Sequence, residues 1–195
     1  MSQIELLEKR VVLPMEAKTL YFGFDESNHA GQNRKGEIVV AVVSTLHEDS
    51  LIRYYSHHKT NVDFLNLGGV YDYRFTLLMG EEYRHATSFK TLAEIAPFLV
   101  EPFLHDELKC LKLYFDGIMK KPQKNFLRAR FPQIESIVVQ DFVKKGKLSK
   151  ASIKKKRDIA CPRVVYLADS LAHALYLTPT GNLLSHPKFI PPPLK

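Results

Sequence analysis

Two periods of hydrophobic and polar positions run along this chain. Leu20-Tyr21-Phe22-Gly23-Phe24 is short, apolar and aromatic, as buried strands are. Ile38-Val39-Val40-Ala41-Val42-Val43, within residues 36–45, predicts a second buried strand, paired antiparallel with the first across a polar turn at 28–35 that holds Gly31. Residues 71–79, 108–116 and 134–143 read as the third, fourth and fifth strands. Leu92, Ile95, Ala96 and Leu99 recur at helical spacing within 91–103. Short helices are expected at 49–55 and 124–130, and a longer one at 162–177 with Pro162 in its first turn. Residues 56–69 are irregular. The tail at 178–195, with Pro179, Pro187 and Pro191-Pro192-Pro193, has no periodicity and is expected to pack as an extended arm or to fray. With no internal repeat and no second core, residues 1–195 read as one α/β domain.

Three acids interrupt these apolar surfaces. Asp25-Glu26-Ser27 ends the first strand, Asp116 ends the run Leu111-Lys112-Leu113-Tyr114-Phe115, and Asp169 lies inside the apolar helical segment. Carboxylates beside buried strands are costly unless they hold a cation. The plainer alternative makes Asp25 a turn cap, leaves Glu26 solvated and exposes Asp169 with Ser170 and His173. Strand alternation puts Tyr21, Gly23 and Asp25 on one face, and Lys112, Tyr114 and Asp116 on one face of the fourth strand. If the two strands are parallel neighbours, Asp25 and Asp116 end side by side. On the last helix Val165, Asp169, Ala172 and Tyr176 form one stripe that can aim Asp169 at the pair.

Composition narrows the class. The chain is 45% hydrophobic and 11% aromatic, as globular proteins are. No apolar run reaches the ~18 residues of a membrane span. Met1-Ser2-Gln3-Ile4-Glu5 lacks signal-peptide character, so a cytoplasmic location and no membrane partner are expected. Cys110 and Cys161 read as free thiols, and there is no Cys/His pattern with zinc spacing. The net charge of +7 is uneven. Lys144, Lys145, Lys147, Lys150, Lys154, Lys155, Lys156 and Arg157 stand together without an acid, and removing them leaves −1. Such a run is either a solvated face or a phosphate-binding segment, which points to a polyanion, with DNA or RNA undetermined.

Three strands followed by helix–strand–helix–strand–helix is the element order of the ribonuclease H-like fold, a mixed five-stranded sheet flanked by helices. Tyr21-Phe22-Gly23-Phe24-Asp25-Glu26-Ser27, Leu113-Tyr114-Phe115-Asp116 and Tyr166-Leu167-Ala168-Asp169-Ser170-Leu171-Ala172 resemble that superfamily, and most of all an uncharacterised domain-of-unknown-function family within it. Gly23-Phe24-Asp25-Glu26, Ala151-Ser152-Ile153 and Lys156-Arg157-Asp158 also resemble type-two ribonuclease H. The glycine-rich continuation of those enzymes is replaced by Ser27-Asn28-His29-Ala30-Gly31, which makes Asp141 a rival fourth ligand.

The resemblance implies a metal-ligand set of Asp25, Glu26, Asp116 and Asp169, with Asp141 as the alternative. Hard oxygen donors favour Mg²⁺ or Mn²⁺. Two such ions can activate a water and stabilise the leaving oxygen in phosphodiester cleavage. In that scheme Asp25 bridges both metals, Asp116 and Asp169 hold one each, and Glu26 orients an ion or the water. His29, His57 and His58 are weaker candidates for proton transfer. The expected function is a divalent-metal-dependent nuclease. The alternatives are a non-catalytic nucleic-acid-binding module of the same fold, or phosphoryl transfer on a small polyanion. Oligomeric state stays open.

Overall fold

The computed structural model describes residues 17–27, 36–46, 49–52, 71–79, 89–116, 119–140 and 159–192. Its centre is a five-stranded mixed sheet. Strands β1 (Thr19–Glu26), β2 (Glu37–Ser44) and β4 (Tyr71–Leu78) are antiparallel neighbours, and β5 (Cys110–Asp116) and β6 (Ile134–Gln140) run parallel to β1 on its other side. The spatial order is β4-β2-β1-β5-β6, so β1 lies in the middle. Helices cover both faces: α1 (Phe89–Val100) and α2 (Lys121–Arg130) on one, α3 (Arg163–Tyr176) on the other. A short helix α4 (Thr180–Leu184) follows α3.

Alternation divides the core in two. Leu20, Phe22 and Phe24 of β1 pack with Leu111, Leu113 and Phe115 of β5 under α1. The Phe24 and Phe115 rings stack at 4.4 Å and 7°. On the opposite face Ile38, Val40, Val42 and Tyr114 meet Val164, Val165, Ala168, Leu171 and Ala172 of α3. Gly23 makes that packing possible. A methyl group on it would lie 2.2 Å from the Val164 carbonyl carbon and 2.4 Å from the Val165 nitrogen, so only glycine lets the start of α3 seat on the strand. At the turn into β2, Gly36 has φ +88, a conformation side chains disfavour.

Several boundaries differ from the sequence reading. Residues 49–52 form strand β3 (Asp49–Ile52), not a helix, because they pair antiparallel with β7 (Ile159–Pro162) in a separate two-stranded sheet. Four residues carry too little pattern to separate strand from helix, and the partner lies more than a hundred positions away. Helix α2 begins at Lys121 rather than Lys124, with Pro122 in its first turn. Helix α1 ends at Val100, and Glu101–Phe103 tightens into a 3₁₀ turn.

Within the tail Thr180–Leu184 is helical rather than extended, and only the segment after it packs as an arm. The Phe75 amide donates to the Lys188 carbonyl at 3.2 Å, and the Ile190 amide donates to the Phe75 carbonyl at 2.8 Å. This lays the segment parallel along the outer edge of β4. Lys188 Nζ reaches Asp72 Oδ1 at 2.7 Å, Arg74 holds Asp72 from the other side at 3.2 Å, and Phe189 packs on Phe75. The open hydrogen-bonding groups of Phe75 on this edge strand are thereby covered.

Candidate functional site

Asp25 and Asp116 occupy the carboxyl ends of adjacent parallel strands. Parallel pairing runs from Thr19 with Cys110 to Phe24 with Phe115, and each acid stands one position beyond that last pair. Both lie on the α3 side of the sheet, as alternation from Gly23 and Tyr114 requires. Asp25 is only 3% exposed, and its Oδ1 accepts the Glu26 amide at 2.8 Å, which fixes the carboxylate against the strand end. Asp169 stands half-buried on α3, one turn beyond Val165, on the same side of the sheet. These three acids therefore lie on the same side of the sheet.

Sharing a face does not close a ligand set. Among the described residues no group of three or more His, Cys, Asp or Glu side chains could hold a metal ion. Asp141 follows directly on β6 but lies outside the described residues, as do His29, His57 and His58. The basic segment Lys144, Lys145, Lys147, Lys150, Lys154, Lys155, Lys156 and Arg157 also lies outside them.

The other two members of the Asp-Glu-Ser tripeptide have separate environments. Ser27 is buried and closes the sheet: its amide donates to the Ile38 carbonyl at 2.9 Å, and its Oγ accepts the Ile38 amide at 3.0 Å. Glu26 falls on the α1 side, opposite Asp25, at the register of Val39. There it acts on Glu37. Burial first, and then the Glu26 charge, push the Glu37 carboxyl up from 4.5 to about 7. Sequence reasoning missed this pair, because Glu37 gives no local signal and meets Glu26 only through the β1–β2 register.

At the amino end of β5, away from Asp116, Cys110 is a free thiol. Its Sγ donates to Glu135 Oε2 at 2.7 Å, and burial and Glu135 together push the thiol up. A thiol held protonated is a poor nucleophile.

Sequence reasoning also missed a second basic surface. Between Asp116 and Glu135 the chain has no acid but carries Lys120, Lys121, Lys124, Arg128 and Arg130. Subtracting the 144–157 run from the net charge concealed it, because acids elsewhere cancel these cations in the sum.

The fold and site define an α/β protein with a mixed five-stranded sheet and an acid pair at the carboxyl end of its central parallel strands. Compared with protein-family models, curated proteins and solved structures, the chain matches none. Among the described residues no helix is long and apolar enough to cross a membrane.

Proposed function

We propose that this chain is a divalent-metal-dependent nuclease of ribonuclease H-like fold that hydrolyses phosphodiester bonds in nucleic acid. One observation carries the reading: the nearly buried Asp25 carboxylate ends the central strand beside Asp116 on its parallel neighbour. Crevices beyond the carboxyl ends of parallel strands are the usual ligand sites of such sheets. A three-stranded antiparallel unit extended by two parallel strands supports the fold assignment.

In this reading Asp25 and Asp116 form the nucleus of the site, and the remaining ligand is Asp169 of α3 or, as its rival, Asp141, which follows β6 in the sequence. Carboxylate oxygens suit Mg²⁺ or Mn²⁺, which when bound lowers the pKa of a coordinated water and neutralises charge on the leaving oxygen. The backbone amide of Glu26 orients Asp25, while the buried Phe24–Phe115 stack fixes the two strand ends relative to each other. The lysine run at 144–157 grips phosphates in this reading. The second reading is a non-catalytic nucleic-acid-binding module. It is favoured by Asp25, Asp116 and Asp169 sharing a face without forming a closed ligand set.

The test is incubation with labelled single-stranded, double-stranded and hybrid nucleic acids, with Mn²⁺ or with chelator. Cleavage is expected with Mn²⁺ and not with chelator. Asp25→Asn should abolish cleavage and leave binding as tight or tighter, because it removes a negative charge facing the phosphates. Binding without cleavage supports the second reading, and absence of both rejects the two together.

A further inference from the structure

We infer that helix α2 is a nucleic-acid contact surface, with Lys121, Lys124 and Arg128 engaging successive backbone phosphates of one strand. The inference rests on the nucleic-acid reading above, but on different residues.

Position comes from the chain itself. Lys120 follows Asp116 by four residues, so its Cα lies within about 14 Å of the acid that ends β5. The helix therefore starts at the same end of the sheet as Asp25 and Asp116. α2 packs on the face opposite the two acids, so a strand that reached both would pass over that end of the sheet.

Geometry comes from helical spacing. Lys121, Lys124 and Arg128 recur at i, i+3 and i+7 and form one stripe. Lys121 and Arg128 are exposed, and Lys124 is half-buried. The stripe is about 10 Å long, about three phosphate-to-phosphate steps of axial rise along one strand of a duplex, so it covers the span of three neighbouring phosphates. Leu127 anchors the helix in the core, so the cations are presented from a fixed scaffold. The fourth basic residue of the helix proper differs. Arg130 lies on the opposite flank and pairs with Glu101. None of the salt bridges among the described residues takes Lys120, Lys121, Lys124 or Arg128.

The chemistry favours a nucleic acid over a membrane. An interfacial helix needs an apolar face to sink into the acyl boundary. Here Leu127 and Phe131 are buried in the core, and Phe126 is the one large apolar side chain that α2 exposes.

The experiment measures oligonucleotide affinity by fluorescence anisotropy, in chelator so that nothing is cleaved, between about 50 and 200 mM salt. The variants are Lys121→Gln/Lys124→Gln/Arg128→Gln together and Arg130→Gln alone. Glutamine keeps helix propensity close to that of lysine and arginine, and circular dichroism verifies the fold. The triple variant should lose at least about tenfold in affinity at low salt. The slope of log K against log salt should fall by about 2 for a single strand, at roughly 0.7 per lost contact. An unchanged slope overturns the inference. So does an equal loss from Arg130→Gln, which would reduce the effect to net charge, or wild-type binding to anionic phospholipid vesicles but not to oligonucleotide. If the triple variant loses affinity while wild type never cleaves with Mn²⁺, the contact surface stands and the nuclease reading falls. If wild type cleaves and the triple variant binds as wild type does, the reverse holds.

Discussion

Gly23→Ala tests the seating of α3, the helix that carries Asp169, on β1. The added methyl carbon would meet three backbone atoms, at 2.2 Å from the Val164 carbonyl carbon, 2.4 Å from its oxygen and 2.4 Å from the Val165 nitrogen. Ordinary van der Waals contact begins at 3.4 Å, so strand and helix must separate by about 1 Å. No flexible side chain can absorb the clash. β1 is hydrogen-bonded on both sides, and α3 begins directly after β7, which is tied to β3. Overpacking typically costs about 1–3 kcal/mol, and a clash between two fixed backbones belongs at the top of that range, about 3 kcal/mol. For a chain of this size that lowers Tm by about 6–12 °C. The assay is thermal unfolding followed by circular dichroism, with Gly181→Ala as the control. Nothing lies within 4 Å of a methyl group at Gly181, and alanine in α4 should be neutral or stabilising by up to about 1 kcal/mol. A Gly23→Ala protein that melts within about 2 °C of wild type would refute the argument that α3 is seated on a bare strand.

Glu37 should make stability pH-dependent. Its carboxyl is raised from 4.5 to about 7, so the native state favours the protonated form, and stability falls as pH rises from about 4.5 through 7. Glu37→Gln removes that dependence. It should raise Tm relative to wild type at pH 8 and lose the advantage by about pH 4.5, and a gain that does not vary with pH would count against burial and Glu26 as the cause. Phe115 is fully buried and stacked on Phe24, so Phe115→Ala should cost about 3–5 kcal/mol in urea unfolding. A loss below about 1 kcal/mol would show that the stack does not hold the ends of β1 and β5.

Hydrophobic pattern was enough to place the five strands of the central sheet and the alternation of their faces. Leu20-Tyr21-Phe22-Gly23-Phe24 and Leu111-Lys112-Leu113-Tyr114-Phe115 encode a period of two, and a single-residue slip would bury Lys112 and Tyr21 in place of leucine and phenylalanine. The alternation put Asp25 and Asp116 on definite faces of their strands, while the parallel adjacency of the two strand ends was an expectation of the fold resemblance that the pairing bears out. Helix α3 was legible as an apolar segment after Pro162 with Val165, Ala172 and Tyr176 on one stripe, and the structure adds Val164, Leu167, Ala168 and Leu171 to its buried side chains. Tertiary structure decided what depends on partners far away in the chain. Residues 49–52 became a strand through β7, the tail became an arm through Phe75, and Glu37 became an elevated carboxyl through burial and Glu26. Ser27 turned out to be a clamp on Ile38, and Gly23 the place where a helix backbone needs room. Local pattern records which face of an element avoids water. It does not record what covers that face, because packing and register join residues whose sequence separation carries no periodic signal.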